Sequence, residues 1–154
     1  MGTKYQGSPT EIRALDAYIA LMRASSTFSS TLNSGILENN LTPAQFGILE
    51  ALFHLGPLSQ KSLGQKVLST KGNITTIVDN LEKQSLVTRL VDASDRRSVI
   101  VELTKSGQSF MKKIFPSHVK KITQLMSALN TDETKELKRL CKKLGLSIQS
   151  THLN

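Results

Sequence analysis

Apolar residues recur along this chain with two different periods, and the change between them locates its elements. From Thr10 onward, Ile12, Leu15, Ile19 and Met22 fall three or four apart, the spacing of one helical face. Thr10 with Glu11 behind it reads as the helix start, and Asn33, Ser34 and Gly35 as its break after about Leu32. Thr42 and Pro43 open a second helix, as N-cap and first helical residue, with Phe46, Leu49 and Phe53 on its buried stripe and Gly56-Pro57 as its end. Ser59 caps a short third helix that turns Leu63 and Val67 inward. Ser69 or Thr70 caps a fourth, in which Ile74, Ile77, Val78 and Leu81 share a face up to about Leu86. There the period drops to two. Val87 to Val91 and Val99 to Leu103 are β-branched runs around a polar turn carrying Asp95, Arg96 and Arg97, the pattern of a hairpin. Thr104 then caps a long helix from Lys105 to about Leu129, which Pro116 is expected to kink or split. Thr131, followed by Asp132 and Glu133, caps a last helix whose apolar stripe is Leu137, Leu140, Cys141, Leu144 and Ile148, with Lys142 and Lys143 near its end.

The polar side of the fourth helix is chemically unusual. It carries Lys71, Asn73, Thr75, Thr76 and Asn80, where an ordinary solvated face would hold more Glu and Lys. Short Thr and Asn side chains reach base edges without filling a groove. Ser69 and Thr70 at the helix start are candidates for phosphate contact, and Gly72 either lets the backbone approach one or is merely tolerated there. Lys61 and Lys66 on the preceding helix read equally as phosphate contacts or as solvated lysines. A helix leading into a hairpin with two guanidinium groups at its tip predicts a winged helix, with the helix in the major groove of duplex DNA and the wing in the minor groove.

Charge fits that partner. The 154 residues hold 20 Lys+Arg against 12 Asp+Glu, a net charge of +8, which favours a polyanion. No apolar run approaches the roughly 20 residues that span a bilayer, and the N-terminus lacks the apolar core of a secretory signal. One cysteine excludes an internal disulfide, so a soluble cytoplasmic protein with no membrane partner is expected. His54, His118 and His152 lie far apart with no metal-ligand spacing, so no metal or other cofactor is called for. There is no phosphate-binding glycine loop, nucleophile elbow or acid–base cluster, which argues against an enzyme.

The expected fold class is mainly α with a small β wing. A flexible arm (1–9) precedes an N-terminal helical dimerisation segment (10–40), a winged helix-turn-helix core (41–104) and C-terminal helices of the dimerisation region (105–149). The apolar stripes of the flanking helices exceed what so small a core can bury. A homodimer would bury them and would place two reading heads on a pseudo-palindromic operator.

At residues 95 to 108, DRRSVIVELTKSGQ, the chain resembles the wing of the MarR family of bacterial transcription regulators, and the resemblance extends from about residue 10 to 149. LTPAQFGILEAL, residues 41 to 52, is similar to the family's second helix. LSQKSLGQKV and KGNITTIVDNLEKQSLV are similar to its helix-turn-helix pair. The resemblance implies a triangular homodimer with interlocked terminal helices and the helix from Lys71 to Leu86 in the major groove. It also implies that Arg97 enters the minor groove and that Asp95 orients it. Negative potential in a narrow minor groove attracts arginine, and a nearby carboxylate can hold the guanidinium. Arg96 either contacts phosphate or braces the wing.

The resemblance further implies a repressor released by a small aromatic, phenolic or quinone-type ligand. A ligand would favour a dimer geometry whose reading heads no longer match successive major grooves. Tyr18, Met22, Phe46 and Phe53 are the candidate ligand contacts, though residues of these types are more often plain core than pocket. IFPSHV, residues 114 to 119, is similar to members that respond to quinones. Cys141 offers a redox alternative, but oxidant-sensing members carry their cysteine in the first helix. On the last helix's apolar stripe a buried, inert thiol is expected. Two further alternatives are a winged helix used for protein contact and a nonspecific DNA binder.

Overall fold

The computed structural model describes residues 4–67, 74–91 and 98–151, with side chains described up to residue 148. Among them the order is α1 (Pro9–Leu37), α2 (Pro43–Leu55), β1 (Leu58–Ser59), α3 (Gln60–Lys66), α4 (Ile74–Lys83), β2 (Val87–Val91), β3 (Val99–Leu103), α5 (Lys105–Met126) and α6 (Thr131–Thr151). The expected class, mainly helical with a small β wing, is the one observed. The chain divides into two compact units, Met1–His118 and Val119–Asn154, and the division falls within α5.

Where helices begin and end follows from local hydrogen bonding. Thr42 and Pro43 start α2 as expected, and Gln45 completes a reciprocal box: its N–H donates to Thr42 Oγ1 (3.2 Å) and its Oε1 accepts from Thr42 N–H (2.8 Å). Gly56, at φ 77°, ends α2 in the left-handed region that glycine tolerates. The first helix differs from expectation at both ends. Ser8 is its N-cap, with Pro9 first in the helix and Glu11 closing the box. The helix also runs through Asn33, Ser34 and Gly35 to Leu37. The hydroxyls of Ser30, Thr31 and Ser34 donate to carbonyls one turn back and so are satisfied within the helix. The stop comes at Asn40, which adopts φ 57°.

Pro116 does not split α5, which continues to Met126, three residues short of the expected end. Pro116 withdraws one amide from the helix, and both it and Lys112, one turn back, are exposed residues. At the last helix the cap moves one residue forward. Asn130 Oδ1 accepts from the N–H groups of Asp132 and Glu133, and Glu133 Oε2 accepts from Asn130 N–H (2.8 Å). A capping box begun at Thr131 would meet Thr134 three residues on, whereas one begun at Asn130 meets Glu133 and is complete. Because α6 reaches Thr151, Lys142 and Lys143 lie well before its last turn.

The core of the first unit is built on α2, which buries Phe46, Ile48, Leu49 and Leu52. Leu63 of α3, Val78 and Leu81 of α4, Val87 of β2, Val101 of β3 and Met111 of α5 close around them. Truncating any of these fully enclosed side chains to alanine should cost about 2–5 kcal/mol. Two strands coincide with the two β-branched runs. The third, β1, is too short to show as a pattern and exists only by pairing Leu58 with Val101 and Ser59 with Ile100. The sheet order is β1-β3-β2, all antiparallel, with Val87 opposite Leu103 and Val91 opposite Val99. Among the described residues no helix is long and apolar enough to cross a membrane.

Candidate nucleic-acid interface

Helix α4 buries one face and offers the other. Val78 and Leu81 are fully enclosed and Ile74 and Ile77 partly so, while Thr75, Thr76 and Asn80 are exposed, as the period predicted. The helix ends in a Schellman arrangement. Ser85 takes φ 57°, its N–H donates to Glu82 O (2.8 Å), and Leu86 N–H donates to Leu81 O (3.0 Å). That turn delivers the chain directly into β2.

One side chain then ties α4 to the hairpin. Arg89, in the middle of β2, gives Nη1 to Glu82 Oε2 (2.6 Å) and Nη2 to both Asp79 Oδ1 and the Thr75 carbonyl. Its Nε donates to Gln60 Oε1 at the start of α3 (3.3 Å), and Gln60 Nε2 donates on to Thr75 Oγ1 (3.2 Å). β2 is an edge strand, and the Arg89 main-chain N–H donates to Glu82 Oε1 (3.2 Å). Glu82 therefore binds the strand edge and its guanidinium together. Both acidic residues of α4 are ion-paired to this one arginine.

The other end of the hairpin is fixed to α5. Thr104 Oγ1 donates to the Ser85 carbonyl (2.7 Å) and accepts from Gly107 N–H (2.9 Å), so Thr104 caps α5 while holding the turn after α4. Its own N–H donates to Leu86 O (3.1 Å). A Cβ on Gly107 would lie 2.0 Å from Leu86 O, so only glycine permits this approach.

Of the sequence-derived candidates, Thr75 and Thr76 sit together on the exposed side of α4. Ser69, Thr70, Lys71, Gly72 and Asn73, and likewise Asp95, Arg96 and Arg97, lie outside the described residues. Lys61 and Lys66 are exposed on α3. Arg89, Asp79, Glu82 and Gln60 were not singled out from the sequence. The signal was present, since Asp79 and Glu82 stand three apart on one helix face of a basic protein and Arg89 is a lone cation in a β-branched strand.

The four candidate ligand contacts do not converge. A cavity of about 660 Å³ in the first unit is lined from α1 by Ser29, Leu32, Asn33 and Ile36, from α2 by Phe46, Glu50 and His54, and further by Lys66 and His118. Phe46 stacks against His118 with ring centroids 4.5 Å apart. Phe53 instead packs beside His54 and Phe115, at 5.2 and 5.8 Å. Tyr18 and Met22 are exposed on α1, at 59% and 50%. Cys141, expected to be buried, is exposed, because the α6 stripe it belongs to is itself uncovered in the single chain. Among the described residues no three His, Cys, Asp or Glu side chains gather as a metal site.

Comparison with known proteins agrees with this geometry. Residues 41–99 match the model of the MarR family. The HTH-type transcriptional regulator MhqR of Bacillus subtilis is 31% identical over 91% of this chain and 97% of its own length. Sco3205, a MarR family transcriptional regulator from Streptomyces coelicolor solved in complex with DNA, superimposes with a TM-score of 0.82 at 19% identity, over 95% of this chain and 92% of that one. BpsR of Bordetella bronchiseptica, whose DNA binding is regulated by 6-hydroxynicotinic acid, gives 0.74 at 24% identity, over 84% and 98%. At these identities the structural likenesses establish the fold.

Proposed function

The chain belongs to the MarR family of transcription regulators, which are not enzymes, and from that premise we propose a homodimeric repressor that binds a specific DNA operator and is released by a small aromatic ligand. The observation that carries the DNA reading is α4 itself, with its apolar face locked in the core and Thr75, Thr76 and Asn80 exposed beside a hairpin. The Sco3205 complex with DNA supports this use of the fold. In this reading Ser69, Thr70, Lys71, Gly72 and Asn73 complete the major-groove surface. Arg97 enters the minor groove, Asp95 orients it and Arg96 serves the phosphates.

Residues 41–104 form the reading core, and residues 10–40 and 105–149 pair the two copies. The uncovered apolar residues support pairing. Tyr18, Leu21 and Met22 on α1, and Leu140, Leu144 and Ile148 on α6, are each between 39% and 59% exposed.

The ligand site in this reading is the 660 Å³ cavity, a size that suits a small molecule. Phe46 and the ring of His118 offer stacking, and Glu50, His54 and Lys66 offer polar anchors for a phenol or an acid. Regulation of BpsR by 6-hydroxynicotinic acid supports a ligand of that size and type. In this reading Tyr18 and Met22 act in pairing rather than in ligand contact, and Phe53 packs against His54 of the cavity lining. Oxidant control through Cys141 is the alternative reading, and it requires a thiol that the pairing of α6 stripes leaves uncovered. DNA release by peroxide in the wild type and not in Cys141→Ser would select it.

Fluorescence anisotropy near 150 mM salt tests the main reading, using the duplex upstream of the protein's own gene, duplexes enriched from a random pool, and a scrambled control. A preference of about a hundredfold or more, largely lost in Arg97→Ala, is expected. Equal binding to every duplex rejects the operator, and a preference untouched by Arg97→Ala rejects the wing assignment.

A further inference from the structure

We infer that Arg89 is a positioning residue for sequence reading: it touches no base, yet it sets the angle between α4 and the wing on which the operator preference depends. This rests on the DNA-binding reading above and names a residue that the reading does not require. One planar guanidinium with donors in a fixed fork engages four acceptors from two helices, Gln60 of α3 and Thr75, Asp79 and Glu82 of α4, while its backbone belongs to β2. A major-groove helix and a minor-groove wing must reach their sites together, so freedom between them weakens the correct complex more than any loose one.

The clamp has an electrostatic side as well. Asp79 and Glu82 are the acidic residues of α4, and their side chains remain 46% and 40% exposed while paired to Arg89. Without the arginine, two carboxylates would stand uncompensated on the helix that approaches phosphate. The pairing also occupies Arg89. Its donors are turned inward onto protein acceptors, which sets it apart from the arginines expected at the wing tip.

Arg89→Ala, Arg89→Lys and Asp79→Asn separate geometry from charge. Duplexes enriched from a random pool by the wild-type protein serve as the specific probe, and a scrambled duplex as the nonspecific one. The ratio of the two affinities, the salt dependence of each, and amide exchange across α4 are measured at a temperature where circular dichroism shows every variant folded. The specific-to-nonspecific ratio should fall at least about tenfold in Arg89→Ala, with the salt slope unchanged and exchange across α4 accelerated. Arg89→Lys restores the charge but not the fork, so nonspecific affinity should return while the ratio stays low. Asp79→Asn cuts the same clamp more gently and serves if Arg89→Ala does not fold. It should raise nonspecific affinity and lower the ratio.

A full return of the ratio in Arg89→Lys would overturn the geometric role. So would an unchanged ratio in Arg89→Ala. An equal loss on both duplexes, with the slope reduced by about 0.9, would make Arg89 a phosphate contact instead. If the wild type enriches no sequence at all, the operator reading itself falls and this inference with it.

Discussion

Glu82 holds Arg89 twice, accepting the main-chain N–H with Oε1 at 3.2 Å and the guanidinium with Oε2 at 2.6 Å. The helix thereby covers the open edge of β2 at the same point where it is ion-paired to it, which leaves less edge for another chain to pair with. Glu82→Ala should lower stability by about 1 kcal/mol, discounted from the usual value of a charged hydrogen bond because both partners are partly exposed. Urea unfolding measures it. A double-mutant cycle with Arg89→Ala should return a coupling of similar size, whereas strictly additive losses would show that the two residues act independently.

Two glycines in helices should respond to alanine with opposite signs. At Gly107 the added Cβ would sit 2.0 Å from a main-chain oxygen, which has nowhere to go, so Gly107→Ala should cost about 1–3 kcal/mol. At Gly145, within α6, nothing lies within 4 Å of the added atom. Gly145→Ala should therefore stabilise by about 0.5–1 kcal/mol through helix propensity alone. Thermal melts compare the two. A loss at Gly145 would reveal a second chain packed on that face.

Self-association should depend on the α6 stripe. Leu144 is 49% exposed, and an aspartate there would carry a charge into any interface the stripe forms. Sedimentation of Leu144→Asp at micromolar concentration should show a monomer where the wild type, on the pairing proposed above, sediments as a dimer. A dimer that survives the substitution would place the pairing surface elsewhere.

The start of α1 should be acid-sensitive. Hydrogen bonds from the Ser8 N–H and hydroxyl to the Glu11 carboxylate hold its pKa below the usual carboxylate value. A group whose pKa is depressed on folding contributes stability above its unfolded pKa and loses it as pH falls through the folded one. The protection factor of the first turn of α1, with the intrinsic exchange rate at each pH divided out, should thus be higher at neutral pH and fall below the usual carboxylate range. Glu11→Ala should show the lower protection at neutral pH and converge with the wild type at low pH.

Period and cap chemistry located most of the fold before any coordinates. Both main hairpin strands, the start of α2 and the inward face of α4 follow from residue spacing and from residues such as Thr42-Pro43. Spacing could not say that Ser34 would bond back into α1, or that α5 would run on through Pro116. Those outcomes depend on whether a polar group finds a partner, and that is settled by neighbours in space. The cap of α6 shows the same limit on a smaller scale, since Asn130 and Thr131 are both good capping residues and only the position of Glu133 in the folded turn selects between them.

By itself, then, the sequence determined the fold class of the protein and the order of its elements. Amphipathic periods, a basic balance and two β-branched runs around a polar stretch containing Arg96 and Arg97 are properties of the chain read in order. The tertiary structure alone decided what holds those elements in register. Arg89, Gln60, Asp79 and Glu82 come from three separate segments, and a guanidinium finds four acceptors only after the core has brought α3, α4 and β2 together. The cavity has the same origin. Its walls come from α1, α2, Lys66, Val67 and His118, and no local pattern encodes a space left between them.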